Sequence, residues 1–366
     1  MRQIQRSVSI ALAALTLLLT ANLATAQSIA KLDPRALAVG GAYVAVADGW
    51  AAIQWNPAGL FPSGRRELGI ATSYLPLEGG AWVEALRTLH PNGVGGLGPL
   101  AAQELVNSRG SGLAGETQSF GVYLSDARWG VGFQQMHYAD ELGASSGTYT
   151  ELSFSNLRTR EFMLSLAQPI AQGKIVFGGT VKLVSIQAQS HRVGLENISF
   201  DSLEARKLLK MARQDSVDGQ NVFTFDIGVL VIPTDRIRLG ATARNLYEPE
   251  INSGSERFTH LNRQVRAGLM FLLTPQLRLS ADLDLLTEKL AIPGRRRREA
   301  GGGLEWLAGT VAVRGGVLFD LEAVDSKPLL TFGLGFLADS WRIDGAGTYG
   351  NERDGFGFSG ALAAEW

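Results

Sequence analysis

The sequence predicts an all-β fold, a closed antiparallel transmembrane β-barrel of about 14 strands. Three observations predict it. From Asn221 to Trp366 every second residue is apolar in one short segment after another, and period two is the mark of a strand with two unlike faces. The polar face of those segments carries full charges of both signs. The connectors between segments alternate short and long, the asymmetry of a membrane barrel.

The alternation is read directly from residues. Phe223, Phe225, Ile227, Val229 and Val231 alternate with Thr224, Asp226 and Gly228; Leu277, Leu279, Ala281, Leu283 and Leu285 alternate with Arg278, Asp282 and Asp284. Segments of roughly 9–11 such residues suffice to cross the hydrocarbon layer. Strands are expected near 66–76, 116–126, 128–138, 158–169, 173–188, 220–232, 236–247, 262–273, 276–287, 298–307, 309–319, 328–338, 340–349 and 355–366, with 79–89 a rival for the first. The connectors near Asp126, Gln172, Pro233, Pro275, Ala308 and Asp339 are short, and those at 77–115, 139–157 and 189–219 are long. The competing reading is a soluble sandwich, whose strands also alternate. Such a fold has no reason to sort its loops by parity or to place Lys182, Asp226, Arg238, Arg244, Arg266, Arg278, Asp282, Asp284, Glu305, Arg314, Arg342 and Asp344 on one face. A wet lumen in which opposite charges pair accommodates all twelve. Tyr74, Trp129, Tyr138, Tyr247, Trp306, Trp341, Tyr349 and Trp366 fall near strand ends, where interface girdles are expected.

Composition sets the bounds. The 366 residues carry a net charge of −1, which gives no bulk attraction to nucleic acid. Glycine is plentiful at 44 and charged residues are sparse at 19%, in keeping with a strongly twisted closed sheet. The absence of cysteine excludes disulfides, thiolate metal sites and cysteine nucleophiles. Residues 1–26 read as a signal peptide: Arg2 and Arg6 open it, Val8 to Leu19 form its apolar core, and Ala24-Thr25-Ala26 is the cleavage site. That run is too short for a spanning helix, so the chain is expected to be exported and to reside in the outer membrane.

Residues 27–65 do not alternate. Small residues dominate, Asp48-Gly49 marks a tight turn and Asn56-Pro57 another. Such a segment packs inside something else more readily than it folds alone. The barrel proper is assigned to 66–366.

The run Arg35 to Asp48, with Gly40-Gly41-Ala42-Tyr43-Val44-Ala45, closed by Trp55-Asn56-Pro57-Ala58-Gly59-Leu60, resembles the N-terminal plug of FadL-type outer-membrane proteins, and most of all their PorV/PorQ branch. Leu239 to Leu246 and Phe332 to Phe336 are similar to that branch as well. The resemblance implies a plug filling the lumen, with Gly40, Gly41, Asp48, Gly49, Asn56, Pro57, Ala58 and Gly59 as its hinge and packing residues. It also implies one of two functions. FadL-like members pass long-chain fatty acids or other hydrophobic molecules; PorV-like members carry exported cargo proteins for type IX secretion.

Other features are weighed against plainer readings. Gly93-Val94-Gly95-Gly96-Leu97-Gly98 has the letters of a dinucleotide loop without a βαβ setting, and a flexible turn is the better account. His90, His137, His191 and His260 lack metal-ligand spacing. Asp282 and Asp284 suit charge pairing with Arg266 and Arg278 better than acid–base catalysis. Phe200 to Gln214 is a candidate loop helix, and Arg295 to Arg298 is either a contact for lipopolysaccharide or an acidic partner, or a solvated loop end. Phe356, Phe358, Leu362 and Trp366 supply the C-terminal signal expected of a chain handed to the barrel-assembly machinery. The expected partners are outer-membrane lipid, lipopolysaccharide, that machinery, and a hydrophobic ligand or secreted cargo, with no enzyme activity, cofactor, metal or nucleic acid.

Overall fold

In the computed structural model, which describes residues 33–77, 113–146, 149–194, 219–251, 261–289, 296–322, 328–350 and 353–366, fourteen strands close into one antiparallel ring. They are β1 (Glu67–Leu77), β2 (Leu113–Ser125), β3 (Trp129–Ser146), β4 (Tyr149–Ile170), β5 (Ile175–Gly194), β6 (Gln220–Thr234), β7 (Ile237–Arg244), β8 (Gln264–Thr274) and β9 (Leu277–Asp284). A two-residue ribbon, β10 (Glu288–Lys289) with β11 (Arg296–Arg297), stands apart from the ring. The ring continues through β12 (Glu299–Ala308), β13 (Val311–Asp320), β14 (Leu329–Leu337), β15 (Trp341–Gly350) and β16 (Arg353–Glu365). β16 pairs with β1 in the register Glu67↔Glu365 to Tyr74↔Phe358, so no strand edge is left open.

The ring wears its apolar face outward. Phe162, Leu166, Phe223, Ile227 and Leu334 are all more than half exposed, with Leu334 at 62%. The alternate residues of the same strands, such as Glu161, Asp226 and Thr331, are buried inside. A soluble sandwich would hide the first set and wet the second. An apolar band this broad has a stable home only against lipid, and a closed ring satisfies every strand's backbone within it. Trp129, Trp306 and Trp366 stand exposed near the short-turn rim, while Tyr247 and Tyr349 stand exposed near the opposite one.

The short turns fall where the sequence places them, and the strand positions agree with expectation. The long hairpin differs. The sequence places a loop at 139–157, yet β3 runs to Ser146 and β4 starts at Tyr149, paired throughout. Likewise β5 continues to Gly194, past the expected loop start at 189. Beyond the hydrocarbon layer both faces of a strand meet water, so the alternation that reveals a strand disappears while backbone pairing continues. The rival strand 79–89, the Gly93–Gly98 run, the helical stretch 200–214, His90, His260 and Arg295 lie outside the described residues.

Candidate functional site

Residues 33–63 lie within the ring and are built from single turns. Pro34–Ala38 is a five-residue helix whose N-cap, Asp33, accepts the Arg35 N–H at 2.9 Å. Proline at its first position supplies the fixed φ that a helix start needs. Gly40 and Gly41 both take left-handed φ, +68° and +74°, and reverse the chain. Gly49–Ala51 and Ala52–Trp55 follow, then Asn56, whose side chain caps Pro57–Gly59 by accepting the Ala58 N–H at 3.2 Å, then Leu60–Ser63.

The wall makes room for this segment with glycines. A Cβ at Gly178 would overlap Pro57 and Ala58, one at Gly228 would overlap Asn56, and one at Gly240 would overlap Val44 and Ala45. On the far side, Cβ atoms at Gly301 and Gly316 would strike Gly40 and Val39. Trp50 stacks on Tyr123 of β2 at 5.2 Å between ring centroids, and Tyr43 meets Trp55 edge-on at 5.9 Å.

Polar wall groups grip the segment's backbone. Asp282 on β9 accepts the N–H groups of Tyr43 (2.8 Å) and Val44 (2.9 Å). Thr331 on β14 accepts from the Gly40 N–H and donates to the Ala38 carbonyl, both at 3.0 Å. Arg266 donates to the Gly41 carbonyl at 3.2 Å, and Glu67 accepts the Trp50 N–H at 3.1 Å. Asn56 donates to the Val44 carbonyl (2.9 Å) and to the Val229 carbonyl on β6 (3.1 Å).

Charge on the wall is arranged in three groups, with a fourth inside the segment. Arg278, Glu305, Arg314, Asp344, Arg342 and Glu67 form a chain of ion pairs from β9 around to β1. The Arg314–Asp344 pair, at 2.8 Å, passes over β14 at Gly335, where a Cβ would meet both side chains. Arg266 pairs with Asp284 (2.6 Å) and Glu299 (3.1 Å). Lys182 pairs with Asp226 (2.7 Å) and donates to Asn245, with Arg244 at 3.8 Å from the same Asp226. Inside the segment, Arg35 lies between Asp33 (3.1 Å) and Asp48 (2.8 Å), over the rings of Tyr43 and Trp50. Burial pushes the Asp33 carboxyl above the ordinary carboxylate range despite Arg35. Asp48 goes the other way: burial opposes its charge, but Arg35, helped by Arg342 and Arg278, holds its carboxyl well below that range.

The family described as "F plasmid transfer operon, TraF, protein" matches residues 54–284, more than half of the chain. The chain belongs to this TraF family. No curated protein matches it in sequence. In fold it is similar to the CymD monoaromatic hydrocarbon channel, with a TM-score of 0.56 at 13% identity over 93% of this chain and 98% of that one. The toluene transporter TodX of P. putida gives 0.52 at 14% identity, over 91% of this chain and 97% of TodX. A Pseudomonas aeruginosa FadL homologue gives 0.54 at 10% identity, over 92% and 98%. At these identities the likeness is one of fold: the FadL-type barrel.

Within this TraF-family barrel, the lumen charges named from the sequence fall into distinct positions. All but Asp282 and Arg238 belong to the ion pairs just described. Asp282 differs from the expected charge pairing with Arg266 and Arg278: it accepts backbone N–H groups, and Arg278 turns to Glu305. Arg238 forms no ion pair among the described residues. Sequence reasoning missed Glu67, Glu299 and Asn245. Glu67 and Glu299 sit at strand starts, in phase with the inward face, which is the signal that could have found them. It also missed Gln54, Tyr123 and Gln134, three residues hydrogen-bonded together beneath Trp50. Of the basic run, Arg298 is half-buried, donating to the Asp284 carbonyl at 3.0 Å and from its backbone N–H to Asp320 at 3.2 Å.

At the long-loop end of the lumen the lining changes character. Leu157, Val184, Ile186, Ala188 and Val222 face inward and form an apolar cluster, covered by Ile251 and Leu261 from the connector between β7 and β8. Below it begin Lys182, Asp226 and the inner segment. An apolar patch above a charged layer, inside a ring, can hold a greasy molecule away from both water and lipid.

Proposed function

We propose that this chain is an outer-membrane channel for passive passage of hydrophobic small molecules, long-chain fatty acids among the candidates, with residues 33–63 as its plug. The observation that carries this reading is the inward-facing apolar cluster of Leu157, Val184, Ile186, Ala188 and Val222 at the long-loop end of the lumen, above the Lys182–Asp226 pair. Water-filled pores have no use for such a patch; a site that captures apolar molecules requires one. The fold shared with proteins named as a monoaromatic hydrocarbon channel and a toluene transporter supports the class of cargo. Passage requires the plug to yield, and the consecutive left-handed Gly40 and Gly41, with Gly49 at +53°, are its hinges. Lipid and lipopolysaccharide surround the outer band, and the barrel-assembly machinery inserts it.

The test is uptake of radiolabelled oleate and of toluene by cells carrying the wild-type chain, Val184→Asp, or neither. Faster uptake with wild type, returned to background by Val184→Asp, supports the channel. Equal uptake in all three rejects it.

The secretion-adaptor reading draws on the likeness of Arg35 to Asp48 and of Trp55 to Leu60 to the PorV/PorQ branch. Nearly all those residues are buried against the wall. What the phrases share with that branch is therefore packing inside a barrel, which serves a channel and an adaptor alike. Recovery of exported proteins on the detergent-extracted barrel would favour the adaptor.

A further inference from the structure

The apolar cluster does not end in a neutral wall. Its residues stand in register with polar ones: Glu161 is opposite Val184, Thr159 opposite Ile186, and Gln134 of β3 opposite Glu161. All three polar side chains face inward and are buried, Gln134 to 1% exposure, Thr159 to 3% and Glu161 to 5%. Each carries a buried atom with no hydrogen-bond partner: Nε2 of Gln134, Oγ1 of Thr159 and Oε2 of Glu161. The Gln134 amide is held in this orientation, because its oxygen accepts from Gln54 and from the Tyr123 hydroxyl, both at 3.0 Å. Its NH2 is thereby turned away from them.

An unsatisfied buried polar group is costly, and neighbouring ones at the edge of an apolar patch mark where a polar atom of a ligand fits. Their chemistry selects that atom. Glu161 as a carboxylate only accepts, the Gln134 NH2 only donates, and Thr159 does either. A hydroxyl both donates and accepts, so it can satisfy Glu161 and Gln134 together. An ammonium can give to Glu161 but can take nothing from Gln134. A carboxylate can accept from Gln134 and Thr159, but it leaves Glu161 unpartnered and sets like charge beside it. Of the nearby cations, Lys182 is engaged by Asp226 at 2.7 Å, while Arg244 lies 3.8 Å from the same carboxylate with its Nε unpartnered.

We infer that the apolar cluster and Gln134, Thr159 and Glu161 form one amphipathic site, whose ligand is a hydrophobic molecule bearing a hydroxyl, an alcohol or phenol, in preference to a fatty acid. This rests on the channel reading above and narrows its substrate class.

Equilibrium dialysis of the full chain in lipid nanodiscs against radiolabelled decanol, decanoate and decylamine tests it. Decanol is expected to bind about tenfold more tightly than either charged relative, the effect of one hydrogen bond to a charged group. Glu161→Gln, nearly isosteric, should narrow the preference over decanoate to about threefold, and Thr159→Val should weaken decanol alone. Heat-modifiable mobility on gels confirms that each variant forms the barrel. Decanoate binding as tightly as decanol, or an order unchanged in both variants, overturns the hydroxyl preference. If Val184→Asp still abolishes binding of all three probes, the channel stands without it. Binding of none of them by the wild-type chain overturns both.

Discussion

The carboxylate of Asp282 accepts the backbone N–H of Tyr43 at 2.8 Å across 239 positions of chain, and the N–H of Val44 beside it. A charged wall residue thus binds main chain rather than a counter-ion. Thr331 and Arg266 add the Gly40 N–H and the carbonyls of Ala38 and Gly41, so the stretch from Ala38 to Val44 is held independently of its own side chains.

Asp282→Ala removes both acceptors at once. Two charge-assisted bonds are worth about 3 kcal/mol together, and roughly a hundredfold in local opening. Hydrogen exchange followed by mass spectrometry should show the peptide around Tyr43 and Val44 losing protection by that order, while the strands keep theirs. Unchanged protection would mean that packing alone holds the segment.

Arg266, 2% exposed, joins Asp284, Glu299 and the Gly41 carbonyl. Arg266→Met keeps much of the volume and removes the buried cation that Asp284 and Glu299 share. Breaking a buried pair from one side costs about 3–5 kcal/mol. Guanidinium unfolding in lipid should register a loss of that size, and Arg266→Met with Glu299→Gln should recover part of it. A variant as stable as wild type would show that water already screens these charges.

The barrel was legible because its determinant is local: alternation in one strand declares two faces without knowledge of any other strand. The inward charges were legible for the same reason. Their partners were not. That Asp282 faces inward follows from its alternation with Ala281 and Leu283 in β9; that it serves Tyr43 depends on a contact made across the lumen. Gln134 and Glu161 look like ordinary polar positions until the register sets them opposite each other beside Val184. The outer parts of β3, β4 and β5 lacked the apolar face on which the reading depends.

Gly228 on β6 lies against Asn56, and a Cβ there would overlap the Asn56 side chain. Asn56 has little freedom to retreat, since it bridges Val44 and Val229 and caps Pro57–Gly59. Gly228→Ala should free this turn. The chain contains no cysteine, so Leu60→Cys, at a fully buried site, is a clean reporter. Its reaction with a maleimide should be about tenfold faster in the Gly228→Ala background, the loss of one such hydrogen bond. Equal rates would show that the wall yields instead.

Arg35 makes the segment's response to acid depend on which carboxylate holds it. Asp48, depressed below the ordinary range by Arg35 against the effect of burial, stabilises the fold above the unfolded pKa and loses that contribution only as pH falls through its folded value, in strong acid. Asp33, raised by burial, has the opposite sign: its contribution is fullest below the unfolded pKa and fades as pH rises through the folded one. On mild acidification Asp33 is therefore neutralised first, and Asp48 keeps Arg35 paired. Asp48→Asn removes that reserve. As pH falls through the raised range of Asp33, the variant's Arg35 is left buried at Tyr43 and Trp50 without a carboxylate in its own segment. Exchange in residues 33–50, corrected for its intrinsic pH dependence, should then rise across that range in Asp48→Asn and stay flat in wild type. Parallel curves would show that Arg35 does not depend on Asp48, and that its charge is balanced from the wall.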